Sequence, residues 1–154
     1  MKIAIGCDHG GYALKENIKK YLKEELNHDY MDLGAFSNDR CDYTDFAFLV
    51  GEAVANKRCD FGIMIDAAGI GSSIMANKVP GVRAAVANEI YTARNSRAHN
   101  DANVLCLGSF IIGEGVAKEI VNIWLSTKFE GERNIKRVNK IVEFERRLNE
   151  CRGR

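Results

Sequence analysis

The stretch FGIMIDAAGIGSSIMANK, residues 61–78, decides the fold and holds the main candidate site. Its apolar run ends at Asp66, gives way to a loop containing Gly69 and Gly71, and then resumes, which is the pattern of a buried strand, a tight loop and the start of a helix. The first N–H groups of a helix have no partner within it, and the helix dipole places positive charge behind them. The stretch therefore predicts a cradle for a phosphate or an oxyanion, with the Asp66 carboxylate at its mouth.

Further apolar runs lie on both sides of this stretch. We expect strands at residues 2–6, 30–33, 61–65, 82–86 and 104–107. Apolar residues at helical spacing lie between them, and Asn88 is expected to cap the fourth of these helices. A last stripe, from Ile135 to Leu148, predicts an extended C-terminal helix. Strands that alternate with amphipathic helices predict an α/β fold, in which helices cover both faces of a five-stranded parallel sheet.

The composition favours a single domain spanning residues 1–154. Hydrophobic residues make up 46% of the chain and the formal net charge is +1, so no excess of charge points to nucleic acid or to a membrane surface. The five cysteines form no CxxC pair, which argues against a disulfide framework and a zinc site. The N-terminus enters a strand directly, and no apolar run reaches the roughly 18 residues of a membrane span. We therefore expect a cytoplasmic protein with reduced thiols and no bound metal.

Titratable side chains follow two of the expected strands. Asp8 and His9 come after the first strand and Asp66 after the third, and polar groups at the carboxyl ends of parallel strands converge on one crevice. His99 is expected in a polar loop at residues 98–101, just before the fifth strand. It therefore lies at the opposite edge of the sheet. If His99 is catalytic, a second subunit supplies it to the crevice.

Each of these residues also has a purely structural interpretation. Asp8 can cap the helix that follows it, His9 can be an ordinary loop residue, and His99 can belong to a turn. Arg133 and Arg137, four residues apart on one helix face, can grip a phosphate or lie on a solvated surface. The glycine loop lacks both the GK[ST] of a P-loop and the third glycine of the dinucleotide fingerprint. A nucleotide-binding module is therefore disfavoured.

Several segments together resemble one known family. They are IAIGCDHGGYALK at residues 3–15, Asp42 with Tyr43, the Gly69-x-Gly71 loop followed by Ala76-Asn77-Lys78, SRAHNDANVL at residues 96–105, and Arg133 with Arg137 and Val138. In this order and at this spacing they resemble the type B ribose-5-phosphate isomerases and the related galactose-6-phosphate isomerase subunits. The resemblance covers nearly the whole chain. It implies a Rossmann-like three-layer fold and an aldose–ketose isomerase of the pentose phosphate pathway or a related sugar-phosphate route, without metal or cofactor.

The same resemblance implies an active site shared between two subunits of a homodimer or tetramer. His99 would open the sugar ring with the help of Asp8, and a proton would then move between C2 and C1 through an enediolate. The substrate-binding residues implied are His9, Arg133 and Arg137 for the phosphate, Tyr43 and Asn100 for the sugar, and Ala67, Gly69, Gly71 and Ser72 in the cradle. The cradle amides would act as an oxyanion hole.

The chain departs from the family pattern at the catalytic loop. Type B enzymes carry Cys-Gly-Thr-Gly there, with the cysteine as the base, whereas this chain has Asp66-Ala67-Ala68-Gly69. A second subgroup uses a glutamate at the position held here by Ser72. Our hypothesis is that Asp66 is the base, because a carboxylate is ionised at neutral pH without activation. Two other departures are Phe110, where an arginine is common, and Gly131-Glu132-Arg133-Asn134 in place of Gly-Gly-Arg-His.

Three interpretations of function remain open. The first is an active isomerase, with ribose 5-phosphate as the default substrate. The second is a hexose-6-phosphate isomerase acting on galactose or allose 6-phosphate. The third follows from the loop around Asp66, which resembles the A subunit of galactose-6-phosphate isomerase. In that case the chain is a catalytically weak subunit that assembles with a paralogous, cysteine-bearing partner.

Overall fold

The computed structural model describes residues 1–152, apart from the side chains of Glu132 and Arg152. Within this part of the chain the strands are β1 (Lys2–Cys7), β2 (Asp29–Asp32), β3 (Phe61–Asp66), β4 (Ala84–Val86) and β5 (Val104–Gly108). The helices are α1 (Tyr12–Glu24), α2 (Tyr43–Ala55), α3 (Ile70–Ala76), α4 (Ile90–Asn100), α5 (Glu114–Ser126) and α6 (Glu132–Arg152). A single 3₁₀ turn, His9–Gly11, precedes α1.

The strands form one sheet in the order β2-β1-β3-β5-β4, and every pairing is parallel. At its centre, Ile63 pairs with Ile5 on one side and with Leu105 on the other. Helices α1, α4 and α5 pack on one face of the sheet and α2 and α3 on the other. The prediction of a five-stranded parallel sheet between two helical layers is confirmed.

Two hydrophobic cores hold the layers together. Strands β1, β3 and β5 are buried on both faces, and their alternate side chains enter one core or the other, whereas the edge strands β2 and β4 are partly exposed. Trp124 of α5 and Ile18 of α1 are completely buried on one side, as Val50 of α2 is on the other. Each fully buried side chain of this size stabilises the fold by about 1.5–3 kcal/mol. The rigid sheet that results positions the loops at its two edges.

Helix α4 is longer than the sequence predicted, because residues 98–100 belong to it and not to a loop. Asp101 ends the helix in the left-handed region with φ +47°, and Arg83 and Arg97 both bind its carboxylate.

The N-cap of α4 also differs from the prediction. Glu89 accepts hydrogen bonds from the first N–H groups of α4, whereas the expected cap, Asn88, turns toward the sheet.

A buried ion pair between Lys15 and Asp32 holds the loop that follows β2. Lys15 is fully buried, and its Nζ donates to Asp32 Oδ1 and to the Ala35 carbonyl, both at 2.7 Å. Burial by itself raises the pKa of Asp32, but hydrogen bonds from Lys15, Lys19 and the Gly34 amide lower it below the usual carboxyl range. The loop that these bonds hold is paired in turn with Cys7, since the Ala35 amide donates to the Cys7 carbonyl at 2.8 Å. The end of β1 is thereby fixed.

No helix in the described part of the chain combines the length and the apolar character needed to cross a bilayer.

Candidate active site

Three loops meet at the carboxyl edge of the sheet, after β1, β3 and β5. Ser109 Oγ lies 2.9 Å from the Gly10 carbonyl oxygen and 3.1 Å from that of Asp66, so it bridges the loops after β1 and β3. The Phe110 amide donates to the Ala67 carbonyl at 3.1 Å. We call the group formed by Asp8, His9, Tyr43 and residues 66–72 the strand-end site.

The Asp66 carboxylate is the centre of this site. It is 5% exposed and accepts four hydrogen bonds from its own loop. Oδ1 accepts from the amides of Ala68, at 2.9 Å, and of Gly69, while Oδ2 accepts from the Ser72 amide, at 3.0 Å, and from the Ser72 hydroxyl. The amides of Gly69 and Ser72, which the sequence suggested for a substrate oxygen, are thus occupied by the chain's own carboxylate.

The first turn of α3 keeps two other donors. The amides of Ile70 and Gly71 lie too early in the helix to have an intrahelical acceptor. Gly69 has φ +81°, a conformation that glycine adopts without strain. The ring of Tyr43 lies directly over Gly71, since a Cβ there would stand 2.5 Å from Tyr43 Cζ. A side chain at position 71 would push that ring outward.

Asp8 and His9 are both held in place by nearby backbone. Asp8 is 7% exposed, and its Oδ1 accepts from the Gly11 amide at 3.0 Å. The structural interpretation of Asp8 as a cap is therefore correct, although a cap of this kind uses only one of the two carboxylate oxygens. His9 is exposed and its Nδ1 lies 3.2 Å from the Cys41 carbonyl oxygen. The Cys41 amide nitrogen lies 3.4 Å from the same Nδ1. Both contacts are on Nδ1, so Nε2 is left to face a ligand.

The other predicted site residues lie at the opposite edge of the sheet. His99 and Asn100 occupy the last turn of α4, and Arg133 and Arg137 lie on the first turns of α6. The Glu130 amide donates to the Ala98 carbonyl at 2.9 Å, which joins the segment before α6 to the end of α4. We call His99, Asn100, Arg133 and Arg137 the helix-end site. Glu132, one of the departures from the family pattern, has a side chain outside the described set.

The two sites are separated by the length of the sheet. Strand β5 starts beside the helix-end site at Val104 and reaches the strand-end site at Gly108, a span of about 13 Å for four strand steps. A single chain therefore does not bring His99, Asn100, Arg133 and Arg137 to the carboxylates of Asp8 and Asp66. His99 therefore lies at the edge of the sheet that the sequence predicted for it.

Three residues of the strand-end region were not singled out as binding groups by the sequence. Ser109 joins two loops, as described above. Asn88 donates to the Ala68 carbonyl at 3.1 Å and accepts from the Gly108 amide at 2.7 Å, which ties the loop after β3 to β5. Phe110 is 77% exposed, and its Cζ would lie 3.6 Å from a Cβ on Gly10. The signal for Asn88 and Ser109 was their position just after a strand.

Cys7 and Cys106, two buried cysteines near the site, are poor bases. Burial raises the pKa of Cys7 to about 12, and Lys15 only partly offsets this effect. Burial also raises the pKa of Cys106, and the nearby Asp66 charge adds to the rise. Both thiols therefore stay protonated at neutral pH. Neither Cys7 nor Cys106 therefore takes the place of the family's cysteine.

Comparison with known proteins covers nearly the whole chain. Residues 3–141 match the family model described as Ribose/Galactose Isomerase. The chain is 46% identical over 148 residues to the ribose-5-phosphate isomerase B of Escherichia coli K12, covering 96% of this chain and 99% of that protein.

Comparison with solved structures also finds ribose-5-phosphate isomerases B. A ribose-5-phosphate isomerase B from Clostridium thermocellum is 49% identical, with a TM-score of 0.93, over 96% of this chain and 99% of the other. The ribose-5-phosphate isomerase B of Mycoplasma genitalium, solved with bound ribulose 5-phosphate, is 40% identical, with a TM-score of 0.89, over 94% of this chain and 96% of the other. The similarity therefore extends to both edges of the sheet.

Proposed function

The chain belongs to the ribose/galactose isomerase family, and we propose that it interconverts ribose 5-phosphate and ribulose 5-phosphate as an aldose–ketose isomerase. The full-length similarity to ribose-5-phosphate isomerases B, one of them with bound ribulose 5-phosphate, supports this substrate. The observation that carries the mechanism is the division of the candidate residues between two edges of one sheet. Each edge holds groups that the reaction needs, and neither holds all of them.

We propose that two copies of the chain, in a homodimer or tetramer, complete each active site. The strand-end site of one copy would face the helix-end site of the other. A closed two-fold arrangement forms two such sites from the same surfaces. The phosphate would be bound by His9 from one copy and by Arg133 and Arg137 from the other. Free cysteines at five positions fit a cytoplasmic location.

Ring opening would use Asp8 and His99, one from each copy. The anomeric hydroxyl loses its proton, the bond between C1 and the ring oxygen breaks, and the ring oxygen gains a proton. The two residues share these proton transfers, and the product is the open-chain aldehyde. Tyr43 and Asn100 would line the sugar on either side.

Proton transfer between the two carbons would use Asp66. The carboxylate removes the C2 proton, the electron pair of that C–H bond forms the C1–C2 double bond, and the C1 carbonyl pair moves onto O1 to give the enediolate. A proton then moves from O2 to O1, the C2 carbonyl forms, and Asp66 returns its proton to C1. Because four donors already surround the carboxylate, it must lose one to accept a proton. The Ser72 hydroxyl can rotate away, whereas backbone amides cannot. The Gly71 amide, beneath Tyr43, would hold the enediolate oxygen.

A coupled assay on the purified chain tests this function. We expect turnover of ribose 5-phosphate, and slower turnover of allose and galactose 6-phosphates. A preference for either hexose phosphate would overturn the substrate. Activity that is absent from the chain alone and appears only with a cysteine-bearing paralogue would overturn the independent enzyme in favour of a subunit.

A further inference from the structure

His99 is held at both ring nitrogens by side chains from two different elements. Asn95, one turn earlier on α4, places Nδ2 at 2.9 Å from His99 Nδ1. Glu130, in the segment between α5 and α6, places Oε2 at 3.4 Å from His99 Nε2. An amide nitrogen donates and a carboxylate accepts, so Nδ1 accepts and the ring proton lies on Nε2. The two contacts define both the orientation and the tautomer of the imidazole.

The backbone explains why Glu130 can reach the ring. Its amide donates to the Ala98 carbonyl at 2.9 Å, so its Cα is fixed beside the last turn of α4. That bond also satisfies a carbonyl that the helix end leaves open. The side chain of Glu130 is 63% exposed and that of His99 is 35% exposed. An exposed ion pair of this kind contributes little to folding, so its effect lies in orientation.

We propose that Glu130 is a positioning residue for His99 in the ring-opening step. Its carboxylate holds the ring proton on Nε2 and fixes the ring at the end of α4, where the side chain of His99 is 35% exposed and open to a second copy. Asn95 supports the ring from behind. This inference rests on the proposed function, because ring opening is required only if the substrate is a cyclic sugar phosphate.

The test uses variants that differ only in the ability to accept a hydrogen bond. Glu130→Met removes the acceptor at nearly constant size, whereas Glu130→Gln keeps an acceptor oxygen. Both leave the bond from the backbone amide to Ala98 intact. Glu24→Gln, an exposed glutamate on α1, is the matched control. Thermal unfolding checks that all variants fold alike.

Two substrates separate ring opening from proton transfer. Ribose 5-phosphate is cyclic, whereas 4-deoxyribose 5-phosphate lacks the hydroxyl that closes the furanose ring and is always open. With ribose 5-phosphate we expect Glu130→Met to lower kcat about tenfold at unchanged KM, and Glu130→Gln to stay within about threefold of wild type. With the 4-deoxy analogue both variants should match wild type.

Other outcomes overturn the inference. Wild-type rates for Glu130→Met on ribose 5-phosphate, an equal loss on both substrates, or a change in KM alone would each do so. The ring ¹⁵N shifts of His99, assigned with a His99→Gln variant, give a second measurement that needs no turnover. They should show the Nε2–H form in wild type and a tautomer mixture in Glu130→Met. If wild type fails to isomerise ribose 5-phosphate, the proposed function fails, and the ¹⁵N shifts still decide whether Glu130 sets the tautomer.

Discussion

At the strand-end site the charged groups lie inside the protein and are already hydrogen bonded, with Asp8 and Asp66 only 7% and 5% exposed. At the helix-end site Asn100, Arg133 and Arg137 project into solvent. The first site is built by strand ends and tight loops, which have little freedom, and the second by the ends of two helices. The carboxylates that one chain positions by itself are buried, whereas the groups that must reach a second chain are exposed. The contrast supports a catalytic unit larger than one chain.

Removing the charge of the buried Asp66 should give the largest loss of activity. Asp66→Asn keeps the size of the side chain but removes the base, and loss of a general base lowers kcat by about 10³-fold. The coupled assay with ribose 5-phosphate measures it. Full activity in this variant would contradict the role of Asp66.

Ser72→Ala is the matched control for that change. It removes one donor to Asp66 and leaves the Ser72 amide in place. We expect a change in kcat of less than about tenfold, because the carboxylate keeps its backbone donors. A loss as large as that of Asp66→Asn would show that the hydroxyl itself carries the reaction.

Mixing two inactive variants tests whether the sites come from different copies. Asp66→Asn damages only the strand-end site and His99→Gln only the helix-end site. In a randomly mixed dimer, half of the assemblies hold both chains and one of their two sites is intact, so activity should return to about a quarter of wild type. Mixtures that stay inactive after subunit exchange would mean that each chain uses its own residues.

The Tyr43 ring covers the first turn of α3, and we expect its displacement to have a smaller effect, which is on substrate binding. Gly71→Ala forces the Tyr43 ring away from the first turn of α3, since the new Cβ would lie 2.5 Å from Cζ. We expect KM to rise about tenfold with little change in thermal stability, because the ring is the free end of a side chain. Gly115→Ala, whose Cβ meets nothing within 4 Å, is the control. An unchanged KM would remove Tyr43 from the sugar pocket.

On the exposed side, Arg137→Gln should raise KM about tenfold and leave kcat nearly unchanged, since it removes one phosphate contact. Arg147→Gln, further along the same helix, should leave both constants unchanged. Equal effects of the two variants on KM would indicate that α6 acts only through its general charge.

The smallest effect is expected from thiol alkylation. The raised pKa of Cys7, about 12, leaves almost no thiolate at pH 8, and thiolate forms only as the pH approaches that value. Iodoacetamide at pH 8, applied to a Cys41→Ser background that lacks the half-buried thiol beside His9, should therefore modify the exposed Cys151 and leave isomerase activity unchanged. Inactivation that parallels modification of Cys7 or Cys106 would assign a thiol to the reaction.

The periodicity of the sequence was sufficient to predict the strands, the helical layers and the edges of the sheet at which Asp8, His9, Asp66 and His99 lie. It failed where a residue is held by a distant one. Residues 98–100 were assigned to a loop because the clamp on Asp101 by Arg83 involves a residue 18 positions away. Asn88 was assigned as a cap because its partners are distant in sequence: Ala68 lies in the loop after β3, and Gly108 is the last residue of β5.

The loop between β3 and α3 shows the same limit of prediction from sequence. A strand, two glycines and a helix start predict free amides, and nothing in that local pattern shows that Asp66 turns back onto them. The final geometry depends on how the loop closes between β3 and α3, which packing against β5 decides. Gly69 shows this, since a Cβ there would lie 3.1 Å from the Cys106 carbonyl oxygen.

Because the Asp66 carboxylate is hydrogen bonded to its own loop, it competes with any bound anion for the donors of that loop. A ligand tethered by a short chain has an effective concentration of millimolar or more, so a dissolved anion must compete with a group that never diffuses away. Inorganic phosphate or sulfate, held by the loop alone, should therefore displace it poorly. A sugar phosphate, gripped elsewhere by its phosphate, brings its own oxygen to the loop at a comparable local concentration. Access to the cradle is in this way restricted to molecules that are already bound at a second point.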